Sequence, residues 1–235
     1  PQPDQLKKFF DQPRGEALGW LAGNWLASRS CNDLRHVPGL TAEGDWQNDP
    51  LQARQSILQY VGLLPPGEWW SISSFIHFMK QNAPDFQRSS GDYDSWYLRD
   101  TLSGEYLRGF EHWDRVDGAL IRYLITGPLH WLGFLDLAAS ESGAPPLAMR
   151  LSNWWALLVD AMPAAGLPLE NELFQTFSDA QIRSPRLAPR SARYQLARFA
   201  EWRGTKAGGY LFRLTPRSLS AARQQGLTTQ QLTAL

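Results

Sequence analysis

Apolar residues recur at three- and four-residue spacing through most of the first 133 residues, which predicts a largely helical beginning. The pattern indicates helix over residues 5–30, interrupted by the proline and glycine of DQPRG, residues 11–15. Further helices are expected after the pair Asp49–Pro50 and after Ser71. Asp and Ser are favourable N-cap residues, and proline fits the first helical position.

Residues 87–118 are polar and then irregular, which is typical of an insertion or a long loop. A third helix is expected over about 117–133, and the pattern changes after it. Gly127–Pro128 predicts that this helix is kinked or split. FLDLAAS (134–140) and PLAMRLS (146–152) then alternate in polarity across turn residues, which predicts a β-hairpin. Helices followed by a hairpin are the order of a winged helix-turn-helix domain, with the hairpin as the wing.

The last quarter of the chain mixes strand and helix patterns. Strand candidates lie at 173–185, 192–204 and 210–215, and a closing pair of helices follows. We therefore predict an α+β fold, mainly α, with a winged helix-turn-helix body and a small basic α+β domain. The expected parts are an N-terminal segment (1–50) packing on the next domain, the winged helix (51–160, insertion near 87–118), a linker (161–172) and the basic domain (173–235).

Composition separates the two ends of the chain by charge. Of 23 Lys and Arg residues, ten lie after residue 180, but only Glu201 of the 23 acidic residues does. The last 55 residues therefore carry a charge of +9 and the first 180 carry −9. Such segregation indicates a part that faces a polyanion, or two parts that face each other. Eleven tryptophans can build aromatic cores and leave rings for a surface.

The closing stretch YLFRLTPRSLSAARQQGLTTQQLTAL resembles a strand–helix–turn–helix segment of known proteins. That segment belongs to the helicase-associated domain of bacterial proteins related to XPB-type DNA-repair and transcription helicases. The stretch TGPLHWLGFLDLA, with AMRLSNWWALL downstream, is similar to winged-helix modules of the same proteins. The residues that carry the first resemblance are Tyr210, Arg213, Leu214, Thr215, Ser218, Leu219, Ala222, Gly226, Leu227 and Leu232.

This resemblance implies a non-catalytic, nucleic-acid-associated region. The sequence contains no GxxxxGK[ST] motif and no DEAH-type box, so it lacks the signatures of the ATPase motor. The chain is therefore expected to be an accessory fragment or a motorless relative, and not an enzyme. Neither the four histidines nor Cys31 has metal-ligand spacing, so no metal or cofactor is expected. The acidic segment EHWDRVD (111–117) is interpreted as a solvated turn rather than an acid–base site.

The candidate nucleic-acid contacts lie in the basic part. Arginine side chains can bind phosphate regardless of base sequence, and exposed aromatic rings can stack on bases. The alternative places Tyr194, Leu196, Phe199 and Trp202 in a core, with the arginines in solvent or paired with acidic residues. The predicted contact residues are Arg183, Arg186, Arg190, Arg193, Arg213, Arg217 and Trp202, with Tyr194 as a second stacking ring.

Three functional hypotheses follow. The leading one is a DNA-associated accessory module in the cytoplasm, where one cysteine suits the reducing conditions. The second is a protein–protein scaffold whose acidic and basic halves pair with each other or with a partner. The third, a hydrolase built on residues 111–117, requires a concave pocket there. The helix before the hairpin is mainly apolar, which favours a protein partner for the winged helix over a DNA groove.

Overall fold

The computed structural model describes residues 2–88, 91–206 and 208–233, and its fold is α+β with more helix than strand. Within these ranges, no helix is long and apolar enough to cross a membrane. The helices are α1 (Pro3–Asp11), α2 (Arg14–Ala27), α3 (Pro50–Val61), α4 (Ile72–Asn82), α5 (Trp113–Thr126), α6 (Pro128–Trp131), α7 (Trp155–Val159), α8 (Arg190–Phe199), α9 (Pro216–Gln224) and α10 (Thr229–Thr233). The strands are β1 (Leu40–Ala42), β2 (Trp70–Ser71), β3 (Leu98–Asp100), β4 (Leu135–Ala138), β5 (Ala148–Leu151), β6 (Gln175–Thr176), β7 (Gln181–Pro185), β8 (Glu201–Lys206) and β9 (Gly209–Arg213).

The chain folds into two compact units. One comprises residues 1–17 and 165–235, and the other comprises residues 18–164. The first contains 13 cationic and 7 acidic residues, a net charge of +6, and is named the basic unit. The second contains 10 cationic and 16 acidic residues, a net charge of −6, and is named the acidic unit. The charge asymmetry of the sequence thus coincides with a division of the fold.

The acidic unit contains a small antiparallel sheet built around the predicted hairpin. Its elements include, in chain order, α3, β2, α4, α5, α6, β4 and β5, and the strands lie in the order β2-β5-β4. Leu135 of β4 pairs with Leu151 of β5, which confirms the hairpin. Trp70 of β2 pairs with Met149 on the other side of β5. This third strand was not predicted, because two residues are too few to show an alternating pattern.

The capping and helix-breaking residues of the sequence correctly predicted the starts of α3 and α4 and the end of α5. The side chain of Asp49 accepts a hydrogen bond from the backbone N–H of Leu51 at 2.9 Å, and the hydroxyl of Ser71 accepts one from Ser74 at 3.2 Å. These bonds satisfy backbone donors that a helix start leaves unpaired. Gly127 separates α5 from α6, so the third helix is split rather than kinked.

Asp117 is fully buried, which corrects the interpretation of residues 111–117 as a solvated acidic turn. Helix α5 begins at Trp113, and Asp117 lies on its buried face one turn later. Arg88 donates from Nε to Asp117 Oδ1 at 3.0 Å, and Gln87 donates to the same oxygen at 2.7 Å. Burial raises the pKa of the Asp117 carboxyl, and the guanidinium of Arg88 opposes that rise. The ion pair attaches the segment after α4 to α5.

A second buried ion pair attaches the loop after α2 to α3. Arg54 is 1% exposed, and its Nε lies 2.6 Å from Asp33 Oδ2. It also donates to the carbonyl oxygens of Trp25 and Ser28, at 2.7 and 2.5 Å. These acceptors satisfy the guanidinium, which a buried charge requires.

The basic unit consists of one four-stranded antiparallel sheet and the helices around it. The strand order is β6-β7-β9-β8. Ile182 of β7 and Phe212 of β9 pack with Leu196 and Ala200 in one buried cluster. A second buried cluster consists of Phe199 of α8, Ala222 of α9 and Leu227, and it packs α8 against α9.

Residues 190–199 form helix α8, which corrects the strand predicted over 192–204. The buried pair Leu196 and Phe199 is spaced by three residues, as one face of a helix requires. Arginine, glutamine and alanine, which fill most of the remaining positions, also favour helix. The strand predicted there begins only at Glu201.

The strand–helix pattern at the C-terminal end is confirmed. Strand β9 ends at Arg213, and Thr215 caps α9 by accepting a hydrogen bond from the N–H of Ser218 at 3.0 Å. The hydroxyl of Ser218 accepts one in return from the N–H of Thr215, also at 3.0 Å, which completes a capping box. Gly226, with φ of +76°, ends the helix in the left-handed region that favours glycine.

Candidate nucleic-acid interface

The sheet of the basic unit has two faces with different surroundings. Ile182 pairs with Phe212, and their side chains point to the inner face, where α8 packs. Arg183 pairs with Leu211 and points to the opposite, outer face, because successive strand residues alternate. Arg213 shares that outer face, since it lies two residues along β9 from Leu211. The predicted arginines of the two central strands therefore point away from α8.

An aromatic groove of about 370 Å³ opens on the inner face beside β8. Trp202 is 64% exposed and Tyr194 is 41% exposed, so both rings present surface to solvent. Phe10 of α1 lies against Tyr194, with ring centroids 4.9 Å apart. The groove is lined by Phe10, Arg190, Arg193, Tyr194, Trp202, Tyr210 and Phe212. Three of the seven predicted contact residues, Arg190, Arg193 and Trp202, are thus brought together, with Tyr194 among them.

Glu170 positions the two arginines of this groove. Arg190 Nε lies 2.7 Å from Glu170 Oε2, and Arg193 donates from a terminal nitrogen to Oε1 at 2.9 Å. Arg14 lies 4.0 Å from the same carboxylate. Arg190 additionally donates to the backbone carbonyl of Gln12, which fixes its guanidinium. One carboxylate therefore serves three guanidinium groups.

This arrangement leaves an excess of positive charge beside the aromatic rings. Three cations around one anion carry a local charge of +2, and the Glu170 side chain is only 11% exposed, so water screens the excess incompletely. The Nε of Arg193 is buried and makes no hydrogen bond to any group of the described residues. A positive rim around exposed rings can bind an anionic group and a flat ring together.

The remaining predicted arginines lie outside the groove. Arg186 is exposed in the turn after β7, and Arg217 is exposed in the first turn of α9. A cation at a helix N-terminus is disfavoured by the helix dipole, so Arg217 gains nothing locally from its position. Neither of these residues, nor Arg213, forms an ion pair with an acidic group in the ranges that the structure describes. Their charges are thus available at the surface.

The core interpretation holds for two of the four residues that it names. Leu196 and Phe199 are buried, whereas Tyr194 and Trp202 are exposed. The helix α8 explains the division, because Leu196 and Phe199 share its buried face and Tyr194 does not. Sequence reasoning missed Glu170 and Phe10, which lie far from α8 along the chain, and no local pattern marked either of them.

In the acidic unit, α5 offers little surface for reading bases. Eight of its 14 residues are buried. Its Arg115 donates to Asp100 and Glu105 at 2.7 and 2.8 Å, and its Asp114 pairs with Lys80 at 2.6 Å. A helix that reads a major groove needs side chains with unused donors and acceptors.

A groove of about 410 Å³ beside α5 includes part of the segment considered for hydrolysis. Ser73, His77 and Asp114 are among its lining residues. Asp114 is held by Lys80, and the described His77 side chain makes no hydrogen bond to Ser73 or Asp114. Asp117, by contrast, is buried with Arg88. These side chains therefore form no linked acid–base set.

The surroundings of the Cys31 thiol disfavour its reactive form. Burial and the charge of Asp33 raise the pKa of the Cys31 thiol, which disfavours the thiolate. Asp33 itself is engaged by Arg54. The described His, Cys, Asp and Glu side chains include no group of three or more that could hold a metal ion.

No protein-family model and no curated protein matches the chain.

Proposed function

We propose that this chain is a non-catalytic, DNA-associated accessory module whose basic unit binds single-stranded DNA without base specificity. The observation that carries the proposal is the aromatic groove. It places the exposed rings of Trp202 and Tyr194 beside Arg190 and Arg193 in one concavity. A nucleotide has the same two parts, a flat ring and an anion.

Aromatic stacking accounts for the lack of base specificity. Every base has a π-face, so a ring such as Trp202 stacks on any of them, at about 1–3 kcal/mol per base. Phosphate contacts through arginine are equally independent of sequence. A duplex keeps its bases stacked on one another, so the groove suits a single strand better.

The surface arginines extend the positive field beyond the groove. Arg186, in the turn after β7, Arg213 of β9 and Arg217 of α9 carry charges without ion-pair partners in the described ranges. Such charges attract a polyanion over a Debye length of about 10 Å at 0.1 M salt. They also make binding weaken as salt rises.

For the acidic unit we propose a winged helix that contacts protein. The chain order α3, β2, α4, α5, α6, β4 and β5, with β2 and β4 on either side of β5, supports the winged-helix assignment. The burial of α5 and the pairing of its Arg115 and Asp114 favour a protein partner for this unit. Together with the resemblance of the C-terminal segment, this supports an accessory region of a bacterial helicase-related protein. The partner is then another protein or the remainder of a larger chain.

The test is binding of a labelled single-stranded oligonucleotide of about 12 nucleotides, a length within the roughly 4–16 nucleotides that an OB-fold domain covers. Trp202→Ala should weaken binding about fivefold or more, because a stacking ring is lost. Trp131→Ala is the matched control, since Trp131 is 68% exposed and lies in the acidic unit. Equal affinities for the two variants would refute the groove as the binding site. Absence of binding by the unmodified chain at about 50 mM salt would leave protein scaffolding as the function.

A further inference from the structure

A second concavity lies on the outer face of the same sheet. It is about 420 Å³ in volume and is named the outer cavity. Phe177, 50% exposed, supplies an aromatic surface, and Arg183 and Lys206 supply two positive charges. Its remaining lining residues are Ser178, Asp179, Gln181 and Leu211. The outer cavity therefore repeats the combination of a ring and two cations found in the aromatic groove.

Strand β8 connects the two concavities. In the described ranges it pairs only with β9, so its other side is an edge of the sheet. Trp202 pairs with Phe212 and points to the inner face, whereas Lys206 pairs with Gly209 and points to the outer face. One strand thus contributes to both concavities, from opposite faces, within about 13 Å at the usual strand rise.

A bulge places a further cation on that edge. The pairing register shifts between Trp202 and Gly204, so Arg203 has no partner of its own on β9. Arg203 is exposed and its ion pair with Glu201, at 2.7 Å, joins two partly exposed side chains. Such surface pairs contribute only about 0–1 kcal/mol, so a phosphate can readily displace the carboxylate.

We propose that a single strand bound in the aromatic groove continues over the β8 edge, past Arg203, into the outer cavity. This inference rests on the proposed function. One base stacks on Trp202, the phosphates between the two sites pass Arg203, and a second base reaches Phe177 while Lys206 and Arg183 contact its phosphate. The carboxylate of Asp179 repels phosphate, so the phosphate lies on the Lys206 side of the cavity.

The path predicts that the contribution of the outer cavity depends on the length of the ligand. A fragment of about three nucleotides can fill one concavity, whereas a strand of about 12 can reach both. Phe177→Ala combined with Lys206→Ala should weaken binding of the longer strand about fivefold or more and leave the shorter one unchanged. Both side chains are exposed, so the variant should fold, and Lys206→Glu alone provides a second variant.

The outcomes separate this inference from the proposed function. If the outer-cavity variants bind the longer strand as tightly as the unmodified chain while Trp202→Ala does not, the path is wrong and the groove stands. If the outer-cavity variants lose affinity for both lengths equally, the two concavities are not parts of one path. If the unmodified chain binds neither oligonucleotide, the path and the proposed function fail together.

Discussion

Arg190 Nε lies 2.7 Å from a carboxylate oxygen of Glu170, and the same carboxylate accepts a hydrogen bond from Arg193. The contact joins the first turn of α8 to the segment that precedes β6. It also holds two cations side by side, an arrangement that their mutual repulsion would prevent without an anion between them. The stability of the basic unit and the anion binding proposed for it therefore both depend on Glu170.

Glu170→Gln should lower the free energy of unfolding of the basic unit by about 2–4 kcal/mol, because it leaves largely buried guanidinium groups without their anion. Urea unfolding measures the loss. Glu172→Gln is the matched control, since Glu172 is exposed and forms no ion pair with a described residue. Inorganic phosphate should stabilise the Glu170→Gln variant more than the unmodified chain, because an added anion replaces the carboxylate. An unchanged urea midpoint would contradict the role given to Glu170.

Ala180→Gly should raise the free energy of unfolding by about 0.5–1 kcal/mol. Ala180 lies in the β6–β7 turn with φ of +62°. This is the left-handed region, which is strained for a residue that has a Cβ atom. Relief of this strain should exceed the entropic cost of glycine. Ala221→Gly, at an exposed position within α9, should have the opposite sign, at about 1 kcal/mol. Destabilisation by both glycines would show that Ala180 is not strained.

Asp100 should make the acidic unit sensitive to acid. Backbone N–H groups of Ser103 and Leu102 and the guanidinium of Arg115 lower the pKa of Asp100 to about 2. Because the folded pKa lies below the unfolded value of about 3.9, the carboxylate stabilises the fold above about pH 4. This contribution is lost as the pH falls towards 2.

The measurement is the unfolding midpoint between about pH 5 and pH 2, for the unmodified chain and for Asp100→Asn. The variant should be less stable at pH 5, and the difference between the two proteins should shrink as the pH falls. A difference that stays constant over this range would mean that the Asp100 carboxyl does not titrate with a lowered pKa.

Sequence patterns predicted the parts of the fold that depend on neighbours along the chain. The caps at Asp49 and Ser71 and the β4–β5 hairpin were predicted, because each is a contact between residues close in sequence. Helix α8 was misassigned because apolar and polar residues alternate from Ala192 to Leu196. There the burial of Leu196 against the sheet and of Phe199 against α9 decided the structure.

The unpredicted features are contacts between distant segments. Arg88 is 29 residues from Asp117, and Arg54 is 21 residues from Asp33. Likewise, Arg190 lies 20 residues from Glu170 and reaches the carbonyl of Gln12, 178 residues away. Charge counting indicated that the basic part could bind a polyanion. It could not show that Arg190 and Arg193 share one anion, or that Trp202 lies beside them.

A salt-dependent titration with short single- and double-stranded DNA tests the central claim most directly. The unmodified chain should bind the single strand more tightly than the duplex, and its affinity should fall steeply with salt. Arg213→Ala combined with Arg217→Ala should weaken binding and lower the salt slope by about 0.7 for each lost phosphate contact. The matched control, Arg29→Ala with Arg122→Ala in the acidic unit, should leave both quantities unchanged. Absence of binding at about 50 mM salt would contradict the account and make protein scaffolding the working hypothesis.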